Sequence, residues 1–120
     1  MVLLVESVLR RADRLIVPVG PSPLDIWSSR GTVSLIHASK RANPRMTARL
    51  LVTRKIVGTR VGREAREALG AHRIDVFQSE VCQRIAYVEA MIAGMTVSDF
   101  APHSEAATEI RMLVDELLNG

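Results

Sequence analysis

Polar and cationic side chains follow two apolar runs that have the composition of buried strands. Thr53, Arg54 and Lys55 stand at the end of the run 49–53, and Cys82, Gln83 and Arg84 follow a weaker run at 75–81. The carboxyl ends of parallel strands meet at one edge of a sheet, where ligands bind in open α/β folds. Cationic groups there can bind a nucleotide or another anion. Ordinary solvated charges are the alternative interpretation.

A proline-rich loop follows another apolar run, 15–19, and leads into a helix. It consists of Pro21, Ser22, Pro23, Leu24 and Asp25. Ser22 can cap the helix, Pro23 suits the first helical position, and Asp25 stands where a reciprocal capping partner belongs. A stiff loop at the carboxyl end of a parallel strand also suits a functional contact. The residues alone therefore leave a structural helix start and a functional loop both open.

The other reactive side chains form no recognisable catalytic or metal pattern. Cys82 is the single cysteine, so the chain has no internal disulfide, and the three histidines are too scattered for a zinc site. His103 and Ser104 fit the start of the last helix better than a nucleophile with its base. We expect no catalytic residue, no metal ligands and a packed, unreactive thiol at Cys82.

The net charge of +3 hides a division along the chain. Residues 40–74 hold ten Lys and Arg against two Glu, a net +8, whereas residues 75–120 hold eight acids against two Arg, a net −6. Clustered cations favour an anionic partner because they release counterions from a phosphate backbone. Without aromatic stacking residues, contacts to DNA would go to phosphates and would read no sequence. The candidates lie in and before one helix: Lys55, Arg60, Arg63 and Arg66.

Part of this positive charge is expected to form pairs within the helix. Arg60 stands four residues before Glu64, and Arg63 four residues before Glu67. Side chains at this spacing are neighbours on a helix surface, and such pairs are worth a few tenths of a kcal/mol. The pattern leaves Lys55 and Arg66 without an intrahelical partner.

Apolar periodicity predicts an α/β fold in three layers, a mainly parallel sheet with flanking helices, and one domain over residues 1–120. The runs 15–19 and 49–53 resemble strands buried on both faces, and helical spacing separates the three runs. The expected order is helix, strand, helix, strand, helix, strand, helix, helix, with right-handed crossovers. Three strands make a thin sheet, whose edges favour further strands from a missing part of the chain or from a partner.

Targeting signals are not evident. The opening apolar run has no basic leader and no small-residue cleavage site, and no stretch approaches the roughly 20 apolar residues that span a bilayer. We expect no membrane contact and a cytoplasmic protein, associated with the nucleoid if it binds DNA.

Residues 12–25, with the sequence ADRLIVPVGPSPLD, resemble the ParA branch of the ParA/MinD family, especially the small plasmid-partition ATPases. The Thr53-Arg54-Lys55 exit, the Gln83-Arg84 helix start and the acidic, apolar last helix extend the resemblance over about residues 8–118. It covers only the carboxyl-terminal half of the family's pattern. The resemblance implies a partial P-loop NTPase fold from a family that dimerises around ATP, binds DNA nonspecifically and works with a centromere-binding partner.

The family's phosphate-binding loop, G-x-x-x-x-G-K-[ST], is missing, because neither Lys40 nor Lys55 follows a glycine-rich loop. We therefore expect no ATP hydrolysis by this chain alone and no encoded Mg²⁺ site. By matching position, the resemblance places four residues beside the adenine of ATP or ADP: Thr53, Arg54, Gln83 and Arg84. It places the proline-rich loop, Pro21 to Asp25, at the subunit interface.

The leading hypothesis is a ParA-like partition protein reduced to its carboxyl half, with at most residual adenine-side, dimer or nonspecific DNA contacts. It would associate with itself or with a ParA-type ATPase. One alternative is a stand-alone DNA-binding or regulatory module that pairs with a full-length partition ATPase. The other alternative is a fragment without function.

Overall fold

The computed structural model describes the backbone of residues 2–119 and the side chains of residues 4–119. Its architecture is the expected α/β one, a small open parallel sheet with flanking helices. The elements in chain order are α1 (Val2–Arg11), β1 (Arg14–Val19), α2 (Pro23–Ser28), α3 (Arg30–Ser39), β2 (Thr47–Val52), α4 (Arg60–Leu69), a 3-10 turn (Gly70–His72), β3 (Asp75–Val76), α5 (Ile85–Ile92), α6 (Val97–Phe100) and α7 (Glu105–Asn119).

The sheet has the strand order β1-β2-β3, and both pairs are parallel. The prediction of β1 and β2 is confirmed, whereas β3 is shorter than the run 75–81. The reason is a competing partner, because the backbone N–H groups of Gln78 and Ser79 donate to the Glu116 carboxylate at 2.7 and 2.8 Å. The chain nevertheless stays beside β2, since Val81 N–H donates to the carbonyl of Val52 at 2.9 Å.

The expected single helix between β1 and β2 is divided into α2 and α3 at Ser29. The buried Ser29 hydroxyl donates to the carbonyl of Ile26 at 2.6 Å and contacts His72 Nε2 at 3.1 Å. A serine that bonds nearby backbone in this way competes with regular helix geometry. A further short helix, α6, was not predicted, and it begins where the Thr96 hydroxyl accepts from Asp99 N–H.

The core lies mainly on one face of the sheet. Alternate strand residues point to the same face, and Leu50 and Val52 of β2 pack there with Val19 of β1 and Leu69 of α4. Leu9 of α1 extends this face through a cluster with Ile36 and Met46. The last turn of α7 approaches the opposite face, where Arg14 and Arg49 donate to its carbonyls.

The outer edge of β1 has no neighbouring strand among the described residues. The carbonyls of Asp13 and Val19 accept from β2 at 3.0 Å each. The backbone N–H and C=O groups of the odd-numbered residues between them therefore point toward β2, and those of the even-numbered residues point away from the sheet. Pro18 is one of the outward residues, so its missing N–H leaves no ladder bond unmade. Within residues 2–119 no helix is long and apolar enough to cross a membrane.

Candidate functional site

The proline-rich loop and the exit of β2 meet at the carboxyl edge of the sheet. Arg54 Nη2 lies 3.5 Å from Asp25 Oδ1, and Arg54 takes a left-handed backbone conformation with φ of 55°. Gly20 lies directly beneath this pair. A Cβ at Gly20 would collide with the Asp25 carboxylate and the Arg54 guanidinium, so the glycine leaves room for them.

The predicted Ser22 cap is confirmed. Ser22 Oγ accepts from the Asp25 N–H at 3.1 Å, and Pro23 occupies the first helical position. In a capping box the Asp25 carboxylate would accept from the backbone N–H of Ser22. Here it accepts from the Ser22 hydroxyl instead, at 2.7 Å. Asp25 is therefore fixed by the cap and presents its other oxygen to Arg54.

Backbone hydrogen bonds place the exits of β2 and of the third strand side by side. Lys55 N–H donates to the carbonyl of Val81 at 3.3 Å, and Gln83 N–H donates to the carbonyl of Lys55 at 2.8 Å. Thr53 is half-buried and Gln83 exposed, and neither side chain bonds to another residue in the described part of the chain. The loop and the two exits form one row, which we call the carboxyl rim: residues 20–25, 53–55 and 81–84.

Three of the four cations predicted for DNA contact form ion pairs with glutamates. Lys55 Nζ and Arg66 Nη2 bind the two oxygens of Glu80 at 2.6 and 3.1 Å. The predicted pair of Arg60 with Glu64 is confirmed at 2.9 Å. The predicted pair of Arg63 with Glu67 is wrong, because Arg63 donates to the carbonyl of Gly58 at 3.2 Å instead.

Arg84 begins the segment after the third strand and is held by two acids of α7. Its Nη1 donates to Glu105 at 2.6 Å, while Nη2 and Nε donate to Glu109 at 3.0 and 3.2 Å. The hydrogen bond to Glu109 raises the pKa of Arg84. A nucleotide could therefore bind Arg84 only by competing with two carboxylates.

Glu109 is the centre of a network that the sequence did not reveal. Besides Arg84 it accepts from the Tyr87 hydroxyl at 2.9 Å and from Cys82 N–H at 3.2 Å. Burial acts to raise the pKa of Glu109, but the hydrogen bonds from Arg84, Cys82 and Tyr87 outweigh it, so the pKa lies below its ordinary value. Burial, and then Glu109, raise the pKa of the Cys82 thiol. Cys82 is buried, as expected at this position.

The only signal for this network was the spacing of Glu105 and Glu109, which places both acids on one face of α7. Their partners lie 21 and 25 residues away along the chain. Spacing alone therefore could not name Arg84 as their partner.

No protein-family model matches the chain. The chain is 27% identical over 107 residues to the maintenance of carboxysome distribution protein A of Halothiobacillus neapolitanus. This match supports a ParA-like relationship. It covers 88% of this chain and 50% of the relative, so the chain spans about half the length of the curated relative that it matches.

Two polar side chains of the carboxyl rim, Thr53 and Gln83, have no hydrogen-bond partner within the described chain. The Thr53 hydroxyl and the Gln83 amide can each donate and accept hydrogen bonds, as the polar edge of adenine requires. Among residues 4–119 no group of three His, Cys, Asp or Glu side chains is arranged to hold a metal ion.

An apolar groove borders the proline-rich loop. It has a volume of about 480 Å³ and lies between α2 and α4. Trp27 stands in its wall with 63% of its surface exposed, beside Val61 at 48%. The apolar lining consists of Pro21, Pro23, Ile26, Trp27, Val61, Ala65, Ala68 and Ala71, with Arg30, Glu64 and His72 as its polar members.

Proposed function

We propose that the chain acts as the carboxyl-terminal half of a ParA-like positioning protein. The observation that carries this proposal is the match to the carboxysome distribution protein, which runs through 88% of the chain. The sequence contains no phosphate-binding loop. The chain would therefore contribute base-side, interface and DNA contacts to a ParA-type assembly without hydrolysing ATP alone.

The proposed nucleotide contact is to the adenine base. Thr53 and Gln83 would bind its polar edge, and Arg54 would border it after leaving the exposed Asp25 pair, in which the Arg54 side chain is 66% exposed. An exposed ion pair contributes little to stability, so its exchange for a ligand contact is inexpensive. Arg84 would serve to hold α7 against the rim unless a nucleotide displaced Glu105.

The proposed subunit interface is the proline-rich loop together with the groove beside it. Leu24 and Trp27, three residues apart on α2, are 69% and 63% exposed. Contiguous exposed apolar surface of this kind marks interaction sites. The loop conformation is fixed in advance by the Ser22 cap and by Pro23, so little entropy would be lost on association. The partner would be a second copy or a ParA-type ATPase.

The cargo is proposed only as a class. The relative is named for the distribution of carboxysomes, whereas the sequence of this chain resembles plasmid-partition proteins. Both descriptions concern the placement of a large assembly within a cell. We propose that this chain serves such positioning through a cargo-bound protein of the centromere-binding type.

Calorimetric titration of Mg-ATP and of ADP into the purified chain tests the rim. We expect saturable binding of both nucleotides with similar affinity, because the contact is to the base. Gln83→Ala should weaken binding about fivefold to tenfold, the loss expected for one hydrogen bond. Gln78→Ala is the matched control, because Gln78 is an exposed glutamine outside the rim. A folded sample that releases no heat would reject the nucleotide site.

The unpaired edge of β1 favours a second candidate, a regulatory module that pairs with a full-length partition ATPase. Exposed strand edges bind additional strands, and within the described chain no strand pairs with the outward backbone groups of Arg14 and Ile16, whereas Pro18 has no N–H to donate. Size-exclusion chromatography with and without such an ATPase separates the candidates. A mixed complex without nucleotide binding by the chain supports the module, whereas the absence of both properties is the result expected of a fragment without function.

A further inference from the structure

Six cations gather at the amino edge of the sheet, opposite the carboxyl rim. They lie at the end of α1, at the start of β1 and in the connection from α3 to β2. All six are exposed, and none is among the cations predicted for DNA contact from the sequence. We call them the amino-edge cluster: Arg10, Arg11, Arg14, Lys40, Arg41 and Arg45.

Hydrogen bonds hold these segments together. Asn43, between Arg41 and Arg45, donates from Nδ2 to the carbonyls of Leu9 and Ala12 at 3.0 and 2.8 Å. Thr47 N–H donates to the carbonyl of Asp13 at 3.0 Å. The connection is thus bound directly to the end of α1 and to the start of β1.

A polar cavity of about 270 Å³ lies within this edge. Arg14, Lys40 and Arg49 contribute to its lining together with Asp75 and the end of α7. Arg14 Nη1 donates to the carbonyl of Leu117, another lining residue, at 2.8 Å. A phosphate group is small enough to enter such a cavity and would meet two members of the cluster there.

The cluster differs from the basic residues of α4 in that its charge is not neutralised. Among residues 4–119, no carboxylate forms an ion pair with any of its six members. Asp13 and Asp75 lie at the same edge and are exposed to solvent, and Arg49 of the cavity, which is not a member of the cluster, is paired with Glu116 at 4.0 Å. The edge therefore keeps a clear excess of positive charge that solvent ions balance.

We infer that the amino-edge cluster binds the phosphate backbone of duplex DNA without reading its sequence. Five of its six members are arginines, whose planar fork matches phosphate oxygens. It contains no aromatic side chain on which an unpaired base could stack, which favours duplex over single strands. Binding would release counterions and weaken steeply with salt. This inference rests on the DNA-binding part of the proposed function and moves it from α4 to the opposite edge.

Two variants that each remove three positive charges test this placement. Lys40→Gln/Arg41→Gln/Arg45→Gln removes half of the cluster, and Arg60→Gln/Arg63→Gln/Arg66→Gln is the matched control on α4. Binding of a labelled duplex of mixed sequence is followed by fluorescence anisotropy over a series of salt concentrations. Circular dichroism confirms that each variant is folded.

We expect the cluster variant to lose about tenfold or more in affinity, and its log–log salt slope to become shallower by about 2 to 3, close to one per phosphate contact. The control should lose less than about threefold, because Arg60 and Arg66 are already paired with glutamates. Arg10→Gln/Arg11→Gln, which leaves the connection intact, should reduce affinity and slope in the same direction as the cluster variant.

Equal losses in the two triple variants would overturn the inference, because binding would then follow total charge. Unchanged affinity in the cluster variant would also overturn it. Vesicles of equal parts phosphatidylcholine and phosphatidylserine are the second probe. Binding to these vesicles without binding to the duplex would assign the cluster to a membrane surface and reject DNA. The calorimetric test is separate from the duplex assay. The nucleotide site can therefore be rejected while DNA binding by the cluster is supported, and the reverse is also possible.

Discussion

The two edges of the sheet differ in how their cations are paired with carboxylates. At the carboxyl edge, Lys55 is bound by Glu80 and Arg84 by Glu105 and Glu109. At the amino edge, six exposed cations have no carboxylate partner among residues 4–119. A paired cation at the carboxyl edge stabilises the fold, whereas an unpaired one at the amino edge remains available for a polyanion.

The number of cations in a segment does not show which of them are free to bind an anion. Lys55 and Glu80 have only 20% and 19% of their side chains exposed, so water screens their attraction weakly. A phosphate at Lys55 would have to displace a close carboxylate. A phosphate at Arg41 would displace only solvent ions, which are released with a gain in entropy.

The largest effect on stability should come from Glu109→Ala. The change leaves Arg84, Tyr87 and the Cys82 N–H without their shared acceptor. We expect a loss of about 2 to 3 kcal/mol in the free energy of unfolding, since the Cys82 N–H and two N–H groups of Arg84 lose their acceptor, although Tyr87 can still donate to Ala106 and Arg84 to Glu105. Urea unfolding measures it, with the exposed Glu89→Ala as the control on α5. Equal stability of the two variants would show that the network is not a structural support.

Acid should weaken the attachment of α7 to the sheet through Glu109 and Glu116, which accept from backbone N–H groups of residues 78, 79 and 82. Burial acts to raise the pKa of Glu116, but the N–H groups of Gln78 and Ser79 outweigh it, so its folded pKa lies below the ordinary 4.5. A lowered pKa means that the unfolded chain binds more protons, so the stability from this group is present above pH 4.5 and is lost as pH falls through the folded pKa.

Urea midpoints measured from about pH 6 down to about pH 3 should therefore fall with acidity, and Glu116→Gln should flatten part of that fall. Asp99→Asn serves as the control, because Asp99 is an exposed acid at α6. A fall of the same steepness in the Glu116 variant would show that this carboxylate is not involved.

Glu80→Gln should make the carboxyl edge more like the amino edge. It releases Lys55 and Arg66 from one carboxylate, and we expect a loss of about 1 kcal/mol in stability with a gain of about twofold to fivefold in duplex affinity. Glu64→Gln is the matched control, since Glu64 pairs with the highly exposed Arg60. Lower duplex affinity in the Glu80 variant would contradict the comparison.

The architecture followed from the sequence because its strongest signals were local. β1 and β2 lie within two residues of the predicted runs 15–19 and 49–53, since the signal of a β-branched apolar run comes from a few neighbouring residues. The rim also followed, because parallel strands bring their exits to one edge. The length of β3 did not, because Glu116 competes for the backbone of Gln78 and Ser79 from 37 or more residues away.

The pairing of charges was the part that sequence could not supply. The spacing of four found Arg60 with Glu64, but Glu80 reaches Lys55 across 25 positions and Arg66 across 14. Such pairs depend on how β3 and α4 pack, and the sequence pattern does not encode this directly. Arg10, Arg11 and Arg14 lie in a segment of low net charge. The net charge of that segment therefore did not indicate that these three cations are unpaired.

The smallest effect on stability should come from Arg41→Gln/Arg45→Gln. Both side chains are exposed and form no ion pair with residues 4–119. We expect the free energy of unfolding to change by no more than about 0.5 kcal/mol, measured by urea denaturation alongside Glu80→Gln. A larger loss would mean that these arginines support the fold, and the contrast between the edges would then disappear.

The two hydrogen bonds of Asn43 have a consequence for recognition. They restrict the backbone between α3 and β2 while the chain folds, so its conformational entropy is already lost before any ligand arrives. A flexible loop would lose that entropy during binding and would hold phosphates correspondingly more weakly. One amide side chain, bonded to the end of α1, thus fixes a short connection, and the positions of the charged residues in that connection are set before a ligand binds.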